Sequence, residues 1–226
     1  MKIDHAFAGG PVFAKKKAVP PSWLEKLLRE KCEGFVQFRQ TAFDVWSNFE
    51  ACGAIDKSCK LGPHAFCLSK NKRIALARNV ICRGILRCEP FGDGEIVIGE
   101  DTYIGDGVIV SAAQSVRIGA RTLIAQGVEI FDNDTHPLDP RERWRDYQFI
   151  LGKEKEKPPV PSAPVVIEDD CWIGSGAFIG KGVRIGAGSV VAARGVVIRD
   201  VPALTLVGGN PAREIRTLGE QPAEHA

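Results

Sequence analysis

The sequence predicts an all-β fold in which the chain winds as a coil of short strands joined by tight turns. Aliphatic residues recur at six-residue steps in two runs, and a glycine or a short polar residue usually follows each of them. The first run is Ile98, Ile104, Val110, Ile118, Ile124 and Ile130, with a two-residue slip before Ile118; the second is Ile167, Ile173, Ile179, Ile185, Val191 and Val197. A period of six fits neither an α-helix, with ~3.6 residues per turn, nor one long strand, with a repeat of ~2. Such a period is typical of a repetitive coil whose successive turns stack and bury the aliphatic residues between them.

A second, mostly small residue follows four positions after each aliphatic residue, as at Thr102, Cys171 and Ser189. About three such hexads complete one turn of the coil, which gives about 18 residues per turn. An imperfect version of the pattern begins near Ile55. We therefore place the coil at residues 53–200.

Three regions follow from this placement. Residues 1–52 form an N-terminal appendage without the repeat, and residues 201–226 form a C-terminal tail, which we expect to be short and helical. The repeat stops at residues 131–164, and loops of that length inside a compact repeat are often functional. The Lys/Glu/Pro-rich end of this loop, residues 153–164, has the composition of an exposed, extended linker.

The N-terminal appendage contains a candidate amphipathic helix at residues 23–32. Ser22 and Glu25 form a capping box, and the apolar face consists of Trp23, Leu24, Leu27 and Leu28. We expect this face to pack on the coil or on a neighbouring subunit. Attachment to a membrane surface is the less favoured alternative, because the helix is short and its charges are mixed.

Composition indicates a cytoplasmic protein without stable membrane insertion. A formal net charge of +2 gives no argument for nucleic acid binding, and no apolar stretch approaches the ~18 residues of a membrane span. The N-terminus lacks the apolar core of a signal peptide. The seven cysteines are odd in number and form no Cys-x-x-Cys pair, which favours reduced thiols.

Two segments resemble a known family. Residues 165–216 read VVIEDDCWIGSGAFIGKGVRIGAGSVVAARGVVIRDVPALTLVGGNPAREIR, and His136-Pro137-Leu138-Asp139-Pro140 is followed by Arg143. With the repeats, they resemble the hexapeptide-repeat acyltransferases, and the His136 segment is similar to the catalytic segment of the maltose, galactoside and nodulation-factor sugar O-acetyltransferases. The resemblance covers residues 96–216. It implies a left-handed parallel β-helix and an acetyl-CoA-dependent O-acetyltransferase that acts on a sugar, polysaccharide or glycolipid hydroxyl.

His136 is the candidate catalytic residue. The chain has four histidines, of which His5 and His225 lie near the termini and His64 follows a Gly-Pro corner. A sugar hydroxyl is a poor nucleophile, and an imidazole with an ordinary pKa of ~6.5 is able to accept its proton at neutral pH. The resemblance implies this role for His136.

The group that orients the imidazole is left open by the sequence. Asp132, Asp134 or a loop carbonyl are candidates, and all three lie close to His136 along the chain. The family often places an asparagine near the acceptor hydroxyl, and this chain has Gly105 at that position. We therefore consider Asn133 as a substitute contact for the acceptor.

The resemblance also implies a binding site for coenzyme A. Trp172 would line the wall of the donor channel, Ser175 would lie near the thioester, and the backbone of Ala193 would pair with the pantetheine amides. Arg199, Arg213 and Arg216 would hold the phosphates, for which a planar guanidinium is suited, and Arg194 is an alternative cation. The implied partners are a glycan acceptor, coenzyme A and, as in the superfamily, two further copies of the chain. In this homotrimer, His136 would face the donor residues of the next subunit.

Other functions remain as alternatives. An amino sugar or an antibiotic hydroxyl could be the acceptor, and a β-helix that serves only as a scaffold would need no His136 loop. A γ-type carbonic anhydrase has the same fold but holds zinc with three histidines, whereas the coil contains two, His64 and His136. We therefore expect no metal cofactor.

Overall fold

A computed structural model describes residues 45–69 and 71–219. In this part the chain forms three sheets of short strands, which are parallel except for the last strand of one sheet. Each complete turn of the coil contributes one strand to each sheet. The fold is therefore the parallel β-helix that the six-residue period predicts. The predicted helix at residues 23–32 lies outside the described residues.

The elements are numbered along the chain. Sheet 1 contains β1 (Gly53–Ile55), β4 (Ile74–Leu76), β7 (Glu95–Ile98), β10 (Ser115–Ile118), β13 (Val165–Ile167) and β16 (Arg184–Ile185). Sheet 2 contains β2 (Lys60–Leu61), β5 (Ile81–Cys82), β8 (Tyr103–Ile104), β11 (Leu123–Ile124), β14 (Trp172–Ile173), β17 (Val190–Val191), β19 (Thr205–Gly209) and β20 (Ala212–Thr217). Sheet 3 contains β3 (Phe66–Leu68), β6 (Ile85–Cys88), β9 (Ile109–Ala112), β12 (Glu129–Phe131), β15 (Phe178–Ile179) and β18 (Val196–Val197). We name the turns after the sheets that they join, so that the 2–3 corner follows sheet 2 and the 3–1 corner follows sheet 3.

The repeat residues form the core, as predicted. Ile118 pairs with Ile98 below it and with Ile167 above it, so equivalent residues stack in columns. All twelve aliphatic residues of the two runs are at most 2% exposed. The small positions four residues later are buried as well, including Thr102, Cys171 and Ser189. Because side chains alternate along a strand, the neighbouring residues point outward.

The slip in the first run is a widened corner. Ala113 and Gln114 separate β9 from β10, while β10 still pairs with β7 and β13. The Asp132 carboxylate accepts hydrogen bonds from the backbone N–H groups of Ala113, Gln114 and Ser115. Three donors that have no ladder partner are thereby satisfied, as burial requires.

Helix α1 (Val45–Cys52) precedes the first strand and covers the beginning of the coil. Its inward face consists of Val45, Trp46, Phe49 and Cys52, all buried. The six cysteines of the described part are free thiols, and all except Cys88 are buried. Neither helix of the described part has the length and apolar character needed to cross a membrane.

The long loop between β12 and β13 contains a helix, α2 (Pro140–Ile150), that the sequence analysis treated as part of the loop. The Asp139 side chain caps the helix by accepting from the N–H groups of Arg141 and Glu142, and Pro140 occupies the first turn, where no N–H is needed. After α2, the chain folds back along the 3–1 corner, where the side-chain amide of Gln114 donates to Ser162.

The expectation of a helical C-terminal tail is wrong. Residues 205–217 form an antiparallel pair of strands, β19 and β20. Strand β19 continues sheet 2 beside β17, and Val207 is buried in register with Val191. Thr205 and Val207 are buried while Leu206 between them is partly exposed, which is the alternation of a strand at the end of the coil.

Candidate active site

His136 lies at the 3–1 corner, at the start of the long loop. The side chain of Asn133 accepts a hydrogen bond from the N–H of Thr135, and Thr135 has a positive φ of 62°. The N–H of His136 donates to the carbonyl of Asp134 at 2.6 Å. This compact turn holds the backbone of His136 and leaves its side chain about half exposed.

Asp146 orients the imidazole. The Nδ1 atom of His136 is 2.5 Å from Oδ2 of Asp146, which lies on the inner face of α2 and is fully buried. A carboxylate can only accept, so Nδ1 carries the proton in this pair. In the neutral form of the ring, the other nitrogen, Nε2, is then the acceptor, on a side chain that is 52% exposed.

Lys157 bonds the second oxygen of the same carboxylate. Its Nζ atom is 2.7 Å from Oδ1 of Asp146, and the lysine side chain is 15% exposed. Burial alone would raise the pKa of Asp146, but the hydrogen bonds from Lys157 and His136 outweigh it. The pKa of Asp146 is therefore lower than usual, and the carboxylate is ionised at neutral pH.

The structure corrects the predicted orienting residues. Asp132 is fully buried and bonds the backbone of the widened corner, and Asp134 pairs with Lys181 at 2.6 Å. Neither contacts the imidazole; Asp146 does. The sequence did signal a helix beginning at Pro140 through its Asp-Pro cap, but it did not show which face of that helix meets His136.

Asn133 is committed to the protein as well. Its amide nitrogen donates to the Ser111 hydroxyl at 3.2 Å and to Asp132 at 3.0 Å, and the residue is buried. Asn133 shapes the turn before His136. Its burial leaves no open face for the acceptor contact that the sequence suggested.

Some of the predicted donor residues meet at the 2–3 corner. The carbonyl of Ser175 accepts from the N–H of Arg194 at 2.9 Å, and the Ser175 hydroxyl donates to the carbonyl of Gln126 at 3.2 Å. A side chain at Gly174 would collide with the backbone nitrogen of Ala193, so the two coils are in close contact. Ser175 and Ala193 are thus neighbours in successive turns.

The two C-terminal arginines lie on β20, at different ends. Arg213 pairs with Gly208, close to Ala192 and therefore to the 2–3 corner. Arg216 pairs with Leu206, farther along the strand. Both side chains are exposed.

Two other predicted donor residues are placed apart from this corner. Arg199 follows β18 and is exposed at the 3–1 corner. Trp172 lies on the outer face of sheet 2, between Leu123 and Val190, and is 54% exposed. The structure therefore groups Ser175, Ala193 and Arg213 and separates them from Arg199.

His136 and the donor corner lie on opposite sides of sheet 3 within one chain. Ser175 precedes β15, whereas Lys181, which bonds Asp134 beside His136, follows it. The long loop also bonds that second end, because the N–H of Gly182 donates to the carbonyl of Ala163. One chain alone does not bring the candidate base next to the candidate donor residues.

The described residues contain no group of three or more His, Cys, Asp or Glu side chains arranged to hold a metal ion. The nearest cluster of ionisable groups to His136 consists of Asp146 and Lys157, with the Asp134–Lys181 pair on the adjacent turn.

Comparison with known proteins agrees with the repeat and with the fold. A family model described as bacterial transferase hexapeptide (six repeats) matches residues 164–199. A Saccharomyces cerevisiae protein provisionally named an acetyltransferase is 35% identical over 126 residues, which are 56% of this chain and 58% of the relative. Nodulation protein L of Rhizobium meliloti is 40% identical over 118 residues, which are 52% of this chain and 57% of the relative.

A solved structure covers more of the chain. The hexapeptide-repeat acetyltransferase of Vibrio cholerae, determined in complex with acetyl coenzyme A, is 29% identical with a TM-score of 0.51, over 88% of this chain and 85% of that one. These likenesses confirm the resemblance to the hexapeptide-repeat acyltransferases. The chain spans less than two thirds of the length of the two curated relatives.

Proposed function

We propose that this protein is an acetyl-CoA-dependent O-acetyltransferase that acetylates a hydroxyl group of a sugar, polysaccharide or glycolipid. The observation that carries the proposal is the pair formed by His136 and the buried Asp146, which leaves Nε2 of a half-exposed imidazole free to accept a proton. The likeness to a hexapeptide-repeat acetyltransferase that binds acetyl coenzyme A supports the choice of donor.

The reaction transfers the acetyl group directly. The acceptor oxygen attacks the thioester carbonyl carbon while its proton moves to Nε2 of His136, and a tetrahedral intermediate forms. The C–S bond then breaks, and Nε2 returns the proton to the departing sulfur, which gives free coenzyme A and an acetate ester. Asp146 stabilises the imidazolium that exists between the two proton transfers.

In this proposal the donor binds along the 2–3 corner. Ser175 would lie near the thioester, and the close approach of Gly174 and Ala193 would let the pantetheine amides reach the backbone. Arg213, with Arg216 farther along β20, would hold the phosphates, and Trp172 would form part of the wall. Arg199 would contact the phosphates of coenzyme A from the 3–1 corner of a subunit.

A homotrimer would complete this site. Because His136 and Ser175 lie on opposite sides of sheet 3 in one chain, the base of one subunit would serve the donor corner of the next. Two apolar surfaces support this arrangement: the exposed side chains of α2, with Trp144, Tyr147 and Ile150, and the exposed Leu123 and Trp172 of sheet 2. Contact between subunits would remove apolar surface of this kind from water.

The catalytic proposal is tested with His136→Ala. General base catalysis contributes ~10²–10⁴-fold, so kcat for acetyl transfer to a confirmed acceptor should fall by about that factor. The acceptors would be a panel of sugars, amino sugars and hydroxylated antibiotics, and product analysis would separate O- from N-acetylation. His64→Ala is the matched control, since His64 is exposed at a coil corner.

The side chain of His136 lies outside the aliphatic columns, so its removal should leave donor binding and assembly intact. A variant within a few-fold of the parent rate would contradict the mechanism. The trimer is tested separately by sedimentation at micromolar protein, where a stable monomer would contradict the shared site.

A further inference from the structure

We propose that Lys157 is a positioning residue for His136: it completes a Lys157–Asp146–His136 chain that fixes the imidazole with Nε2 free of a proton. This inference rests on the function proposed above and adds a residue to its site. The segment that supplies Lys157, residues 153–164, has the composition of a linker, and nothing in its sequence indicates a link to the imidazole.

The contacts form one continuous line. Nζ of Lys157 is 2.7 Å from Oδ1 of Asp146, and Oδ2 of the same carboxylate is 2.5 Å from Nδ1 of His136. The carboxylate itself is fully buried, and the lysine is mostly so. Both carboxylate oxygens are therefore occupied by donors on opposite sides.

Lys157 is itself held in place by the coil. Its ammonium group lies 4.7 Å from the ring centre of Phe91, which belongs to a 3–1 corner between β6 and β7. Cations are attracted to the faces of aromatic rings, most strongly where water is excluded. The contact ties the loop that carries Lys157 to a rigid part of the fold.

The charge of Lys157 has two consequences for the site. A buried carboxylate with one neutral partner would be costly, and proton uptake by Asp146 would cost the imidazole its acceptor at Nδ1. The ammonium also repels a second positive charge on His136, so it opposes formation of the imidazolium. Lysine thus supports the ionised carboxylate and the neutral imidazole together.

Other charges near the imidazole are accounted for. Asp134 lies in the same turn as His136, and its carboxylate pairs with Lys181 from the corner above. Asp146 on α2 and Lys157 on the returning loop form the chain behind the imidazole. Arg143, also on α2, donates to the carbonyls of Pro137 and Leu138, which follow His136 in the chain. The Asp134–Lys181 pair has no net charge, and Lys157 is the cation that bonds the carboxylate of Asp146.

The geometry also separates Lys157 from the reacting atoms. Because Nδ1 points at Asp146, Nε2 points away from Asp146 and from Lys157 behind it. A cleft of about 470 Å³ beside Lys157 is lined by Phe91, Gln114 and Ser162, and neither His136 nor Asp146 lines it. Lys157 acts through Asp146 and has no direct contact with substrate.

Three substitutions test the role of the charge. Lys157→Met removes the hydrogen bond and the charge, Lys157→Gln keeps a donor of hydrogen bonds without charge, and Lys157→Arg keeps both. Lys155→Met is the matched control, because Lys155 is exposed in the same segment. The Gln variant remains informative if the Met variant does not fold.

The first measurement is the titration of the His136 imidazole by NMR, with its signals identified through His136→Ala. Loss of the nearby cation should move the titration of His136 to higher pH by about one pH unit in the Met and Gln variants. The Arg variant and the Lys155 control should titrate like the parent. This measurement needs no substrate, so it is independent of whether acetyl transfer is found.

The second measurement is the pH profile of kcat/KM with acetyl-CoA and a confirmed acceptor. The acidic limb should shift upward by the same amount in the Met and Gln variants, with KM for the donor unchanged, and Arg should restore it. A lysine that only anchored the loop would lower stability without moving either titration. Unshifted titrations in both uncharged variants, or an Arg variant that shifts like them, would overturn the proposal.

Discussion

Asp132→Ala separates a structural carboxylate from a catalytic one. The sequence places Asp132 among the candidates to orient His136, whereas the structure buries it completely at the widened corner. Its two oxygens accept from the backbone N–H groups of Ala113, Gln114 and Ser115 at 2.6, 2.6 and 2.7 Å. The substitution leaves these three backbone donors without their partner, together with the side-chain amide of Asn133, which donates to Asp132 at 3.0 Å.

The expected cost follows from the number of bonds. A hydrogen bond to a charged group contributes about 1.5–3 kcal/mol, so the three from the backbone represent about 4.5–9 kcal/mol. Bonds to one carboxylate are not independent, and water that enters the space left behind would recover part of the loss. We expect the lower end, about 4.5 kcal/mol, which is a large part of the 5–15 kcal/mol that typically stabilises a domain.

The assay is urea unfolding at one fixed protein concentration, because assembly would otherwise change the apparent stability. Asp93→Ala is the control, since Asp93 is largely exposed and pairs with Arg73 at the surface. The folded Asp132 variant should keep kcat within a few-fold of the parent. A loss of stability below about 1 kcal/mol, the net contribution of a single hydrogen bond, would refute the reasoning. A collapse of kcat in a stable protein would restore the orienting role.

Three further predictions follow from other parts of the structure. Ile179→Ala should reduce the free energy of unfolding by ~2–5 kcal/mol, since Ile179 is fully buried, and a loss under about half a kcal/mol would mean that the strand register is wrong. The double variant Arg213→Ala/Arg216→Ala should raise KM for acetyl-CoA with kcat nearly intact, because phosphate contacts are equally strong in the ground state and the transition state. If calorimetry shows unchanged affinity for the donor, these arginines do not bind its phosphates. The lowered pKa of Asp146 means that its ionised carboxylate stabilises the fold above pH ~3.9, and this contribution is lost as the pH falls through the folded-state pKa. Asp146→Asn should therefore lose less stability in acid than the parent does. Acid unfolding that matches the parent would contradict this linkage.

The aliphatic columns of the core could be predicted from the sequence, whereas the part of the core that α1 supplies could not. Each turn of the coil gives its inward residues the same environment, so the same kind of side chain is needed at Ile98, Ile118 and Ile167. This repeated requirement appears in the sequence as a period. The slip before Ile118 could also be predicted, because the six-residue spacing of aliphatic residues resumes after it. The tail was not, since Thr205–Gly209 carries the alternation of one strand and no longer repeats the hexad.

The sequence also predicted that His136 is the candidate base at the start of the long loop, because the motif that contains this histidine interrupts a strict period. Only the tertiary structure decided what supports it. Asp146 lies 10 residues after His136, on a helix, and Lys157 lies 11 residues after Asp146, on the returning chain. No period in the sequence relates the three residues. Their meeting depends on how α2 packs and how the loop folds back onto Phe91. The separation of His136 from Ser175 likewise follows from the three-sided winding of the coil, because β15 carries the chain from the 2–3 corner at Ser175 to the 3–1 corner beside His136.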